Sequence, residues 1–242
     1  MPLPRTFAQI NLELHDALKK LGENGPYVLV GHSYGGPVIR NFTAAYPRDV
    51  VGLVFVDAAF DGMRVDIGNH KTIQLGQNVE DRKIPQPHEE ITASHQGAMR
   101  QPDQSYSNES LDPVYKHLPQ KEQRLQLWAQ SLPTLGKTEQ NQREWSEVYF
   151  ARLLTKPQTG SLGSIPTLVL TRAEGGYDSG LDVSALQMEQ ERKDGQAMLA
   201  KLSNNSKQTI LRCGHNMELE DPVAVSDAIH EVITVVRHKG DL

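Results

Sequence analysis

The 242 residues carry 25 Lys and Arg against 30 Asp and Glu, a formal net charge of −5, and 38 % of them are hydrophobic. That length holds one sizeable core, and the acidic balance offers no broad positive field for phosphate backbones or anionic lipid, so a small molecule is the expected partner rather than nucleic acid. The one cysteine, Cys213, cannot form an internal disulfide, and the longest apolar run, Val50 to Val56, is far below the roughly 20 residues of a membrane-spanning helix.

Thr6 stands as an N-cap before a helix in which Phe7, Ile10, Leu14, Ala17, Leu18 and Leu21 recur near a 3.6-residue period, ending at Gly22. The opening MPLPRTFAQINLEL lacks a basic-then-apolar export pattern, and the expectation is a cytoplasmic protein. YVLVG (Tyr27 to Gly31) reads as a strand covered on both faces. HSYGGPVIRNFTAAYP then suits a helix with Val38, Phe42 and Ala45 inward, stopped at Pro47, and VVGLVFVDA (Val50 to Ala58) is the next buried strand.

From about Phe60 to Ser164 the composition turns to Gln, Glu, Pro, Asn and Ser, which reads as a mostly helical insertion whose first part, Gly68 to Asp112, is polar enough to be partly loop or disordered. Strand patterning resumes at Ile165 to Thr171. A helical region follows from about Ser184 to Leu202, then a strand from Lys207 to Cys213. Asp221 and Pro222 open a last helix that carries Val225, Ala228, Ile229, Val232, Ile233 and Val236 on one face. Helices alternating with four apolar strands predict an α/β fold with a doubly wound parallel sheet. The core is expected over 1–59 and 165–242, with 60–164 as a helical cap, and ligands at the carboxyl ends of the strands.

The sharpest local signal is Gly31-His32-Ser33-Tyr34-Gly35, a G-x-S-x-G between a predicted strand and a predicted helix. Small residues are needed around the serine because side chains there would strike strand and helix, and Gly35 and Gly36 are expected to supply that room. Ser33 then sits at a helix N-terminus, where the helix dipole and the N–H of Tyr34 can stabilise a developing oxyanion. The bland alternative is a Gly-rich turn with a serine cap.

A serine hydroxyl needs a neighbouring base, and of nine histidines His215 is best placed, after the last strand and before the last helix. His15, His230 and His238 lie on predicted helices, and His70, His88, His95 and His117 in the polar insertion. His32 either lines the pocket or is an ordinary half-buried residue. Glu218, Glu220 and Asp221 are explained by the positive start of the last helix.

With GHSYGG after a buried strand, VDA ending the next, PTLVLT, and GH before a terminal helix, the chain resembles the α/β-hydrolase family. The resemblance covers Thr6 to about Ala59 and Ile165 to the end. It implies a Ser-His-acid triad, an acyl-enzyme, a small carboxylic ester or related acyl substrate, and no cofactor or metal. Position 33 is serine, which sets the chain apart from the branches with an aspartate nucleophile. Two places compete for the acid. The usual one follows TLVLT, where RAEGGYDSG offers Glu174 or Asp178. The other, used in some branches, is the end of the strand after the nucleophile, here Asp57. Asp57 is favoured, because a carboxylate ending an apolar strand needs a partner, and Glu174 is second.

The family places four strands before the helix that begins here at Thr6, and a loop among them gives the second oxyanion donor. Only 32 residues precede Ser33. The expectation is an N-terminally truncated relative whose YVLVG strand has an open edge available for self-association. The competing reading is a catalytically weak or inactive relative that binds a ligand or partner, or has no function.

Overall fold

Thr6 begins the described structure: its side-chain oxygen accepts from the Gln9 N–H at 3.0 Å and starts α1 (Phe7–Lys20). The computed structural model describes residues 6–76, 111, 113–130, 159–177 and 180–242. After α1 come β1 (Tyr27–His32), α2 (Gly35–Ala45), β2 (Val50–Val56), β3 (Arg64–Gly68) and β4 (Lys71–Gln74). A 3₁₀ turn (Pro113–His117) precedes α3 (Gln120–Gln130), and the chain closes with β5 (Thr167–Arg172), α4 (Ala185–Ala200), β6 (Ser206–Leu211), α5 (Met217–Glu220) and α6 (Pro222–His238).

Four strands form one parallel sheet in the order β1-β2-β5-β6. Val54 pairs with Val30 on one side and Leu168 on the other, which sets the central register. Because strand side chains alternate, β2 feeds two layers. Leu53 and Phe55 join Ile39, Phe42, Val169, Leu199 and Leu202 in one cluster, while Val54 and Val56 join Leu168, Leu170, Met217, Val225 and Val232 in the other. The result is a sheet between helices, with α2 and α4 on one face and α6 on the other. Asp221 caps α6 as expected, accepting from Ala224 N–H at 3.1 Å.

Three expectations are corrected. YVLVG is not covered on both faces: Val30 is 42 % exposed, and Val28 and Leu29 are only half-buried. The apolar stripe of α1 is only partly buried. Leu14 and Leu21 are exposed, and the contact with α2 is made in part by polar Asn11, whose amide donates to Val38 O and Asn41 Oδ1 at 3.0 and 2.9 Å. The insertion opens with an antiparallel hairpin, β3–β4, where helix or loop was expected. Asn69 and His70 both have positive φ and sit between the paired Gly68 and Lys71, the two-residue turn that suits a twisted hairpin. Helix α3 overlaps the apolar patch Val114 to Trp128, whereas the patch Trp145 to Leu154 lies outside the described residues.

Phe60 and Asp61 pack into the core. The buried pair Arg40–Asp61, at 2.6 and 3.2 Å, ties α2 to the turn after β2. A lone charge left there would cost about 3–5 kcal/mol. The hairpin is held by Arg64, which bridges Glu191 on α4 at 2.9 and 3.0 Å, and by Asp182, which accepts from the N–H and hydroxyl of Thr72.

Close backbone approaches set the turn after β1. A Cβ on Gly31 would lie 2.6 Å from Gly35 O, and one on Gly36 would lie 2.5 Å from the Ala58 Cβ. Gly35 itself has nothing within 4 Å of that point, so room is needed at Gly31 and Gly36, not at Gly35.

Two outcomes follow for stability. Gly36→Ala should lose about 1–3 kcal/mol in urea unfolding through overpacking, while Gly35→Ala should be near neutral. The Arg64 hydrogen bond holds Glu191 below its ordinary value of 4.5. A depressed folded-state pKa contributes stability that is complete above 4.5 and fades as the pH drops through the lower folded value. Glu191→Gln should therefore reduce stability near neutrality and flatten its fall below about pH 4.5, as read from urea midpoints across pH.

Candidate active site

Ser33 follows the last residue of β1 and precedes α2, at φ 52°. A non-glycine residue in this left-handed region is strained and persists only where its surroundings fix it. Here the Ser33 N–H donates to Val56 O at 3.2 Å, and Ser33 O accepts from Gly36 and Ala59 N–H at 3.0 and 2.9 Å. The serine turn is thus fastened to both β2 and the segment beyond it. Tyr34 occupies the position before α2 without a side-chain capping bond and packs beneath the hairpin with Leu75, Met63, Val65 and Ile73.

Asp57 is the residue after β2, at φ 37°, and its N–H donates to Leu170 O at 2.9 Å, continuing the ladder toward β5. Its side chain is only 4 % exposed. Oδ2 lies 2.6 Å from Nδ1 of His215 and 3.2 Å from Nε of Arg172, an ion-pair distance that lacks hydrogen-bond geometry. Oδ1 is buried with no hydrogen-bond partner among the described residues. An ionised carboxylate only accepts, so the proton of this 2.6 Å bond is donated by His215 Nδ1, which leaves Nε2 directed away from Asp57. The His215 side chain is 39 % exposed, within reach of solvent and an incoming molecule.

Ser33, Asp57 and His215 line one open cleft of about 550 Å³ together with Phe60, Met63 and Arg172. Among the described residues no hydrogen bond joins the Ser33 hydroxyl to His215; such bonds are often long without substrate. Below the cleft, Gln208 donates to Thr171 Oγ1, Thr171 Oγ1 faces Gln196 Oε1, and Gln196 donates to Ala58 O at 2.7 Å. This buried polar chain fixes the turn that carries Asp57.

Of the two carboxylates that compete in the sequence, the one against His215 is that of Asp57, whereas Glu174 is exposed. Asp178 lies outside the described residues. Among the other histidines, His15 stacks on Tyr46 at 3.8 Å and pairs with Asp49 at 3.1 Å, away from the cleft. His88 and His95 lie outside the described residues.

Sequence reasoning missed four contributors. Arg172 ends β5 beside Asp57, and Tyr177, whose phenol is pushed up by burial, sits under its guanidinium at 5.8 Å. Glu220 does not serve the start of α6: it accepts from Gly214 N–H at 2.7 Å and braces the turn before His215. Glu218 faces His32 Nδ1 at 3.6 Å. A cation next to an apolar strand end was a usable signal for Arg172. The two glutamates had none, because their short helix folds back toward β1. Among the described residues no group of His, Cys, Asp and Glu is arranged to hold a metal ion, and no helix is long and apolar enough to cross a membrane.

The fold and several stretches of sequence have known counterparts. The "probable hydrolytic enzyme" of Pseudomonas aeruginosa superposes with TM-score 0.52 at 18 % identity, covering 96 % of this chain and 70 % of that one. The "Probable transporter efuK" of Hormonema carpetanum is 41 % identical over 58 residues, 23 % of this chain, and "Lipase LipV" of Mycobacterium tuberculosis is 50 % identical over 44 residues, 17 % of this chain. Those matches take in only 8 % and 17 % of the relatives' own lengths. The model of the "Alpha/beta hydrolase family" matches residues 2–228. The parallel sheet with its flanking helices and this match through nearly the whole sequence establish that the chain belongs to the alpha/beta hydrolase family.

Proposed function

We propose that the protein is a serine hydrolase that cleaves a small carboxylic ester or related acyl compound. The observation that carries this reading is the 2.6 Å contact of His215 Nδ1 with buried Asp57 in the cleft that Ser33 also lines. Family membership and the short stretch shared with a protein named as a lipase agree with it.

The Ser33 oxygen attacks the acyl carbon while its proton passes to His215 Nε2. Asp57 stabilises the imidazolium without taking its proton. The backbone N–H of Tyr34 at the start of α2 donates to the oxyanion, with the helix dipole behind it. The tetrahedral intermediate collapses, His215 returns the proton to the leaving oxygen, and an acyl-Ser33 ester remains. Water then repeats the sequence with His215 as base, releasing the acid and restoring Ser33. Residues 60–164 serve as a cap over the core of 1–59 and 165–242, and the hairpin, with Met63 at the cleft, forms the part nearest the acyl group. The reaction needs no cofactor.

The test is intact-mass labelling with a fluorophosphonate, which adds covalently to an activated serine. One adduct on the wild-type protein and none on Ser33→Ala is expected. A folded, monodisperse wild-type protein that takes no adduct would overturn the reading and favour a ligand-binding relative. The assignment of the acid has its own check: Asp57→Asn should slow labelling by about 10³- to 10⁴-fold, the scale seen when a triad acid becomes an amide, while Glu174→Gln should leave the rate unchanged. The reverse ranking would move the acid to Glu174.

A further inference from the structure

His215 lies in the irregular segment between β6 and α5, so nothing regular fixes its main chain. Its neighbour Met217 is fully buried and Glu220 braces Gly214. A direct bond to the His215 main chain comes from His32. Its Nε2 lies 2.8 Å from His215 O, and its ring is 4.6 Å from the His215 ring, tilted by 42°. A carbonyl can only accept, so His32 Nε2 carries the proton of this bond.

The opposite nitrogen, Nδ1, faces Glu218 Oε1 at 3.6 Å, and the second oxygen of that carboxylate is buried without a hydrogen-bond partner among the described residues. A flipped ring would bring a carbon toward His215 O and lose the bond, so the His215 carbonyl selects the ring orientation; at 3.6 Å the Glu218 carboxylate is beyond hydrogen-bond distance.

We propose that His32 is the positioning residue for His215, locking the segment that carries the base to the residue that precedes the nucleophile; the proposal deepens the serine-hydrolase reading and rests on it. Ser33 and His215 come from segments 182 residues apart in sequence. Through His32 they share a mechanical link: the end of β1 holds Ser33 by a peptide bond and His215 by a hydrogen bond, so a shift of either carries the other. Misplacement by about 1 Å can cost on the order of 10²-fold in rate, which is the scale at which such a link matters.

The experiment compares wild type, His32→Phe, His32→Gln, Ser33→Ala and His215→Ala. Phe keeps a flat ring without a donor, whereas Gln returns an N–H donor at similar reach. His32→Phe should lower the fluorophosphonate labelling rate and kcat for a p-nitrophenyl ester by about 10- to 100-fold, with KM and thermal midpoint close to wild type. His32→Gln should recover to within a few-fold.

A second readout needs no activity: the low-field proton resonance of the His215 Nδ1–H bound to Asp57, assigned by its loss in His215→Ala. It should persist in His32→Gln and broaden or vanish in His32→Phe. Wild-type labelling rate together with an unchanged resonance in folded His32→Phe would overturn the proposal. If His32→Phe does not fold, His32→Gln decides, and a folded His32→Gln that labels as slowly as His215→Ala overturns it. Absence of any Ser33 adduct on the wild-type protein would instead sink the hydrolase reading, and the resonance would then judge the placement of His215 by itself.

Discussion

The architecture depends on a steric constraint at the end of β1. The chain must reverse from strand to helix within a few residues, and it does so only because the backbone around Gly31 closes on Gly35 and Gly36 closes on Ala58. Those contacts bring α2 down against β2 and leave Ser33 at φ 52° at the rim of the sheet. The strain is offset by hydrogen bonds on both sides of the serine, to Val56 and from Ala59, so the turn and the end of β2 form one unit. Where strain is held by its surroundings in this way, the position of a side chain is fixed before any ligand arrives.

A parallel sheet then does the rest by direction alone. Since β1, β2, β5 and β6 run the same way, the residues that follow each of them emerge along one edge. Ser33, Asp57, Arg172 and His215 belong to four different strand ends, yet meet in one cleft of about 550 Å³. Asp57 is the most constrained of them: it is buried, at positive φ, and shares one oxygen between His215 and Arg172. A carboxylate so placed would be costly without those two partners, which keeps both in register with the end of β2.

Support for the cleft extends well beyond the residues that line it. The Gln208–Thr171–Gln196 chain holds the turn after Asp57 from below, and the buried Arg40–Asp61 pair holds it from the side of α2. The hairpin, pinned to α4 by Arg64 and Glu191, covers Tyr34. Polar side chains join these outer layers alongside the apolar cluster beneath the hairpin. Hydrogen-bonded geometry is more directional than apolar contact, and directional restraint is what a small cleft built from loops requires.

Period and punctuation were enough to read the element order of the core from the sequence. Apolar runs marked β2 and β5, the 3.6-residue stripe marked α6, and Thr6 and Asp221 capped their helices as their side-chain chemistry dictates. The G-x-S-x-G at Ser33, the aspartate ending β2 and the histidine after β6 were likewise visible, because each is tied to a strand end that local patterning locates. Several features depended on tertiary packing. The choice of Asp57 over Glu174 beside His215 turns on which strand end faces the His215 segment. The exposure of Val30 and Leu14 follows from which neighbours the sheet and helix have, and the hairpin lay in a polar stretch whose turn residues, Asn69 and His70, lack the glycine that would announce it. His32 and Glu218 gained their partners only when the His215 segment folded back across β1, a contact spanning 183 positions that no local pattern encodes.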